Sequence, residues 1–287
     1  MIFRPETRLA LLAALLTLCC VTACKDQSQS ANELTVAAAS DLTPAFEELG
    51  REFEASHKTK VVFVFGSTGL LTKQIENGAP VDLFAAANVS YIDQLEQKGL
   101  IIPGTKAIYA RGRITFWTPA TSNIRLENIS DLARPEVKRV AIANPDHAPY
   151  GLAARQALES AGVWDRVKPK LVYADNIRQT LQYAETGNVD VAIVALSLSM
   201  QSNGRWTAIP EELHKPIDQA LAVIKTTKNE QAARAFAGFL TGPQGRAIMQ
   251  KYGFTLPQKG TKSTKQLIQG ASELLIFVCL LCLFVAE

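Results

Sequence analysis

Short apolar runs alternate with helix-like segments along most of this chain, and that alternation constrains its fold more than any other feature. Leu34–Ala39, Val61–Phe65, Asp82–Ala87, Arg139–Ala143, Lys170–Ala174 and Val189–Leu196 read as strands. Pro44–Ala55 places Ala45, Phe46, Leu49 and Phe53 at helical spacing, and Leu70–Glu76, Leu152–Ala161 and Ile177–Thr186 also read as helices. Strands buried on both faces are nearly continuous in apolar residues, and strands separated by helices pair in parallel. The pattern predicts an α/β fold built of layered sheets. No internal repeat is visible in the sequence.

Two further strand-like runs, Arg113–Thr118 and Gln219–Lys225, are each flanked by turn-like sequence. They are expected to be the crossings between two lobes. Lobe one then covers 33–112 plus 223–257, and lobe two covers 113–222. A chain of 287 residues is long enough for two lobes with cores of their own. The net charge of +3 is too small to argue for nucleic acid or an anionic membrane surface.

Residues 1–23 read as an export signal. Arg4 and Arg8 form a charged end, and Leu9–Val21 is apolar except for Thr17, too short to span a bilayer comfortably. The segment ends in Val21-Thr22-Ala23-Cys24, which resembles a lipobox, so Cys24 is expected to be lipidated; a plain signal cut after Ala23 is the alternative. Residues 24–32 form a polar tether. At the other end, residues 258–287 form an extension that is polar and basic at first and then apolar from Leu274 to Ala286, short for a membrane span. All five cysteines lie outside the body, Cys19 and Cys20 in the signal, Cys24 at its end, and Cys279 and Cys282 in this tail, so the body has no disulfide framework and no thiolate metal site. His57, His147 and His214 are scattered, and none has a histidine or cysteine neighbour at helical spacing.

Four strand-to-helix junctions place hydroxyls, glycines or free amides at helix starts: Ala39-Ser40-Asp41-Leu42-Thr43-Pro44, Phe65-Gly66-Ser67-Thr68-Gly69, Asn144 to Gly151, and Ala174-Asp175-Asn176-Ile177. A helix start leaves backbone N–H groups unpaired and carries a partial positive charge. Several such ends in one cleft make an anion site without a charged side chain. Ligands of open α/β sheets bind beyond the carboxyl ends of the strands, where these junctions fall. Taken singly, each junction is more simply read as an ordinary helix cap. The glycines of the second let the backbone approach a ligand, but a P-loop's Lys-Ser/Thr pair is absent.

Together these segments resemble the periplasmic molybdate-binding proteins of ABC importers, within the type II solute-binding fold. The resemblance rests on Ala37-Ala38-Ala39-Ser40, on Phe65-Gly66-Ser67-Thr68 and on Gln74 to Phe84, with its Gly78-Ala79-Pro80-Val81-Asp82-Leu83-Phe84. It continues through Asn144-Pro145-Asp146-His147-Ala148-Pro149-Tyr150-Gly151, Gly242-Pro243-Gln244 and Tyr252-Gly253-Phe254. It implies two α/β lobes, joined by two crossing strands, with a cleft between them that closes on a tetrahedral dianion, molybdate or tungstate. The contacts it implies are Ser40, Ser67 and Thr68 from lobe one, and Tyr150 and Ile177 from lobe two, Ile177 through its N–H. A further family position falls at Ala195. Some members carry tyrosine there and a small residue where Tyr150 stands; this chain has the reverse, so Tyr150 is expected to supply a phenolic donor from the other side.

The resemblance further implies delivery to a membrane permease and its ATPase, a periplasmic location, no cofactor and a monomer. Asp82, at a strand start beside the cleft, is expected to be structural, because a carboxylate would repel a dianion. Asp146 and His147 are expected to shape their loop. The alternatives are a receptor for sulfate, thiosulfate or phosphate, an enzyme, and the effector domain of a transcription regulator. No nucleophile–base–acid set is visible, and the export signal disfavours the last.

Overall fold

A computed structural model describes residues 33–256. The expected signal, the Cys24 lipidation site, the tether and the 258–287 extension lie outside the described residues. In chain order the main elements are β1 (Glu33–Ala39), α1 (Thr43–His57), β2 (Lys60–Gly66), α2 (Thr68–Glu76), β3 (Leu83–Ala86), α3 (Val89–Gln97) and β4 (Ala107–Gly112). There follow β5 (Ile114–Pro119), β6 (Val140–Ala143), α4 (Pro149–Ser160), β7 (Leu171–Ala174), α5 (Ile177–Glu185), β8 (Val191–Ala195) and β9 (Gly204–Ala208). The last three are β10 (Ile217–Val223), α6 (Glu230–Thr241) and α7 (Pro243–Lys251).

Local chemistry sets the element ends. Proline occupies the first turn of α1, α4 and α7, where its missing N–H costs nothing. Helix α1 stops at Lys58, whose backbone turns left-handed at φ 52° and donates its N–H to Glu54 O. Asn88 and Asn176 cap α3 and α5 through their side chains.

The strands form two five-stranded sheets of matching design. The first has the order β2-β1-β3-β10-β4 and the second β7-β6-β8-β5-β9. In each, three strands run parallel in the order second, first, third. In each, a fourth strand then runs antiparallel, β10 in one and β5 in the other. The two lobes therefore repeat a topology that the sequence does not show as a repeat.

Helices cover both faces of the first sheet. Val36 and Ala38 of β1 point to one side, with Phe46 and Phe53 of α1 and Phe236 of α6. Ala37 points to the other, with Leu71 and Ile75 of α2 and Ile92 and Leu95 of α3. Burial on both faces is why the strands are apolar without a break. Phe46 anchors the first layer, with ring centroids 5.6 Å from Phe63 and 6.1 Å from Phe236.

The crossings differ from the sequence expectation. β5 belongs wholly to the second sheet and β10 to the first. The chain passes between sheets at Arg113, the one residue separating β4 from β5. It is back in the first sheet by Ile217, upstream of the return expected at 223. β10 pairs on both sides, with β3 and β4. A central strand and a crossing strand are equally apolar runs between turns, so pattern alone cannot separate them. The Arg111 guanidinium holds Asp218 at 2.6 and 3.1 Å beside this crossing.

Phe46 is fully buried. Its replacement by alanine is expected to destabilise the protein by about 3–5 kcal/mol through lost burial and an unfilled cavity. A shift in the urea unfolding midpoint measures it.

Candidate functional site

A small pocket lies between the lobes at the carboxyl ends of β1, β2 and β7. Ser40, Asp41, Ser67 and Thr68 wall it from lobe one, and Tyr150 and Ile177 from lobe two. Five of the six expected contact positions therefore meet at one place. Ala195 is not in the wall. It ends β8, fully buried and paired with Ile114, and its methyl group cannot reach further.

Four helix starts face this pocket. The short turn Ser40–Leu42, α2 and α4 begin without a side-chain cap. At α5 the Asn176 Oδ1 accepts the N–H groups of Arg178 and Gln179, each at 3.0 Å, which leaves the N–H of Ile177 ahead of the cap. Amides at helix starts have no partner within the helix and carry partial positive charge. Thr68 Oγ1 accepts Ala87 N–H at 3.1 Å, so its own O–H remains a donor. The wall contains no basic side chain. Such a site offers backbone and hydroxyl donors to an anion, with Asp41 as its carboxyl group.

The cleft is shut. Ser67 donates to His147 O at 2.6 Å, and its oxygen lies 2.9 Å from His147 Nδ1. Gly69 N–H donates to the same carbonyl at 2.8 Å. A Cβ at position 69 would stand 2.7 Å from that oxygen, so glycine permits the approach. Loop shaping by His147, expected from sequence, takes the form of a contact between lobes. Asp82 is placed away from the pocket, before the amino end of β3. It accepts Thr35 N–H at 2.8 Å and Thr227 O–H at 2.6 Å, so it is not beside the cleft as expected.

Tyr150 departs from expectation. Its hydroxyl donates to Asp41 Oδ2 at 2.9 Å. Gln219 Nε2 donates to the same oxygen at 2.6 Å and lies 3.1 Å from the Tyr150 oxygen. Tyr109 donates to Gln219 Oε1 at 2.9 Å, and Ser197 to Asp41 O at 2.8 Å. The phenolic proton is thus committed to a buried carboxylate, and Tyr150 presents its helix-start amide and ring to the pocket. Burial pushes Asp41 up to about 6, against the hydrogen bonds from Gln219 and Tyr150 that lower it. Burial, with Asp41 adding to it, pushes both phenols well above their ordinary range. Sequence reasoning quoted Asp41 only within a capping segment and took Gln219 as part of a crossing. The available signal was a glutamine inside the apolar run Ile217–Val223.

Among the described residues no group of three or more His, Cys, Asp or Glu side chains is placed to hold a metal ion. No described helix is long and apolar enough to cross a membrane.

Two α/β lobes shut over a pocket of helix starts define a binding protein for a small solute. The sequence profile of the bacterial extracellular solute-binding proteins matches residues 34–255, and the chain belongs to that family. It is 33% identical to the molybdate-binding protein ModA of Rhodobacter capsulatus over 78% of this chain and 89% of that one. The solved periplasmic molybdate-binding protein of Azotobacter vinelandii superposes with a TM-score of 0.74 at 29% identity, over 78% of this chain and all of that one. The sulfate-binding protein SubI of Mycobacterium tuberculosis shares the fold at a TM-score of 0.69 and 19% identity, over 79% of this chain and 88% of that one.

Asp41 holds its proton more tightly folded, at about 6, than unfolded, near 3.8. The folded protein therefore binds more protons between those values. Asp41's contribution to stability is full below about pH 4, falls as pH rises through about 6, and is constant above. Relative to Asp41→Asn, the wild type is expected to lose on the order of 2–3 kcal/mol across that window. Paired urea titrations at pH 4, 5, 6 and 7 measure the difference.

Proposed function

We propose that this protein captures molybdate, or the nearly equal-sized tungstate, outside the cytoplasm and delivers it to an ABC importer. The observation that carries the reading is the pocket of four helix starts, rich in N–H and O–H donors and free of basic side chains. A dianion without a proton needs donors alone. The likeness to the molybdate-binding proteins of Rhodobacter capsulatus and Azotobacter vinelandii supports the choice of ion.

In this reading Ser40 and Thr68 donate O–H groups, and Tyr150 and Ile177 donate backbone N–H groups. Ser67 holds the rim closed through His147. Ala195 makes no contact. Sulfate and thiosulfate also need only donors, so cavity size must select against them. An ion too small to meet a buried donor leaves it unpaired, at about 1–3 kcal/mol each. The partners are a membrane permease and its ATPase, and the protein acts as a monomer without a cofactor. It resides in the periplasm, anchored through a lipid on Cys24. Cys24→Ser is expected to move it from the membrane to the soluble fraction on cell fractionation.

A second reading rests on Asp41. A carboxylate in the wall is an acceptor, and hydrogen phosphate carries a proton to donate. Calorimetry with molybdate, tungstate, sulfate and phosphate separates the readings. Molybdate and tungstate are expected to bind alike, with sulfate and phosphate much weaker. Ser40→Ala is expected to weaken molybdate about tenfold or more. Sulfate binding as tight as molybdate sinks the assignment. Phosphate binding that Asp41→Asn abolishes establishes the second reading.

A further inference from the structure

We propose that Asp41, Tyr150 and Gln219 form a clasp that holds the lobes shut over the anion, so that Tyr150 serves capture as a positioning residue and not as a phenolic donor to the ligand. The inference rests on the capture reading above.

The geometry is specific to closure. Asp41 and Gln219 belong to lobe one, on the turn after β1 and on β10, whereas Tyr150 begins α4 in lobe two. The Tyr150-to-Asp41 bond of 2.9 Å and the Gln219-to-Tyr150 contact of 3.1 Å both span the lobes. Ser197 of lobe two adds a third link, to Asp41 O at 2.8 Å. Space is reserved for the phenol at the crossing, where a Cβ on Gly112 would stand 2.0 Å from its oxygen.

Burial makes the clasp conditional. Asp41 is fully buried, and its second oxygen, Oδ1, has no partner among the described residues. A carboxylate shut away from water without donors costs several kcal/mol. With the lobes apart, water solvates Asp41 and Tyr150 separately. With the lobes together, each needs the other.

The clasp is also wired to the pocket. Asp41 directly follows Ser40 in the turn that lines it, and Tyr150 is the second residue of α4. Both residues line the pocket while their side chains bind each other. Closing the clasp therefore sets two of the helix starts against the anion.

The test uses the exported protein with sodium molybdate, read by calorimetry, stopped-flow dissociation and small-angle scattering. Tyr150→Phe and Asp41→Ala are each expected to weaken binding about ten- to a hundredfold. The loss should lie in faster dissociation, with the saturated protein scattering as a more open particle. The double variant should be little worse than either single one, because both break one link. Asp41→Asn keeps an acceptor for the Tyr150 hydroxyl and should therefore lose less binding than Asp41→Ala. The clasp is overturned if Tyr150→Phe weakens binding with closure unchanged, which marks a direct contact, or if it changes neither. Additive losses overturn it as well. If the wild type binds no molybdate, the capture reading fails separately, and the anion-free proteins decide the clasp: identical scattering from wild type and Tyr150→Phe overturns it.

Discussion

A carboxylate removed from water has to find donors or hold a proton, and Asp41 finds its donors partly on the opposite lobe. Tyr150 and Gln219 supply them. Much of the closed structure follows from that requirement. Gly112 leaves room for the phenol, Tyr109 holds Gln219 in place, and Ser197 ties the backbone of Asp41 to lobe two. Buried polar networks of this kind are stable only when complete, since each missing member leaves another unsatisfied.

The pocket depends on the same closure. Each sheet directs the carboxyl ends of its parallel strands to the cleft, and the helices that follow begin there. Because the two lobes share one topology, their helix starts face each other across the gap. One helix start is a weak anion site. Four around one small pocket combine partial charges in a place with little water to screen them. The fold alone does not name the ion, since the same architecture serves a sulfate-binding protein. The lining donors and the pocket's size must choose it.

Much of this was legible in one dimension. Strand and helix periodicity located most of the elements that frame the pocket. The junctions marked four segments at helix starts, and the family resemblance singled out within them Ser40, Ser67, Thr68, Tyr150 and Ile177, which the structure brings to one pocket. The return to lobe one was misplaced because β10 is an interior strand whose partners, β3 and β4, lie far from it in sequence. Tyr150 was assigned a phenolic contact because nothing in the sequence relates it to Asp41, 109 residues away. Ala195 was carried over from a family pattern and sits in strand pairing instead.

By itself, the sequence determined the α/β class, the approximate extent of the helices that follow β1, β2, β6 and β7, and the chemical character of the pocket wall. Those properties depend on side-chain periodicity, caps and residue type, all of which act over a few neighbours. Only the tertiary structure decided which donors face the cleft and which are bound elsewhere. Ser67 turns to His147 and Tyr150 turns to Asp41, and both choices arise when the lobes exclude water and every polar group left inside needs a partner.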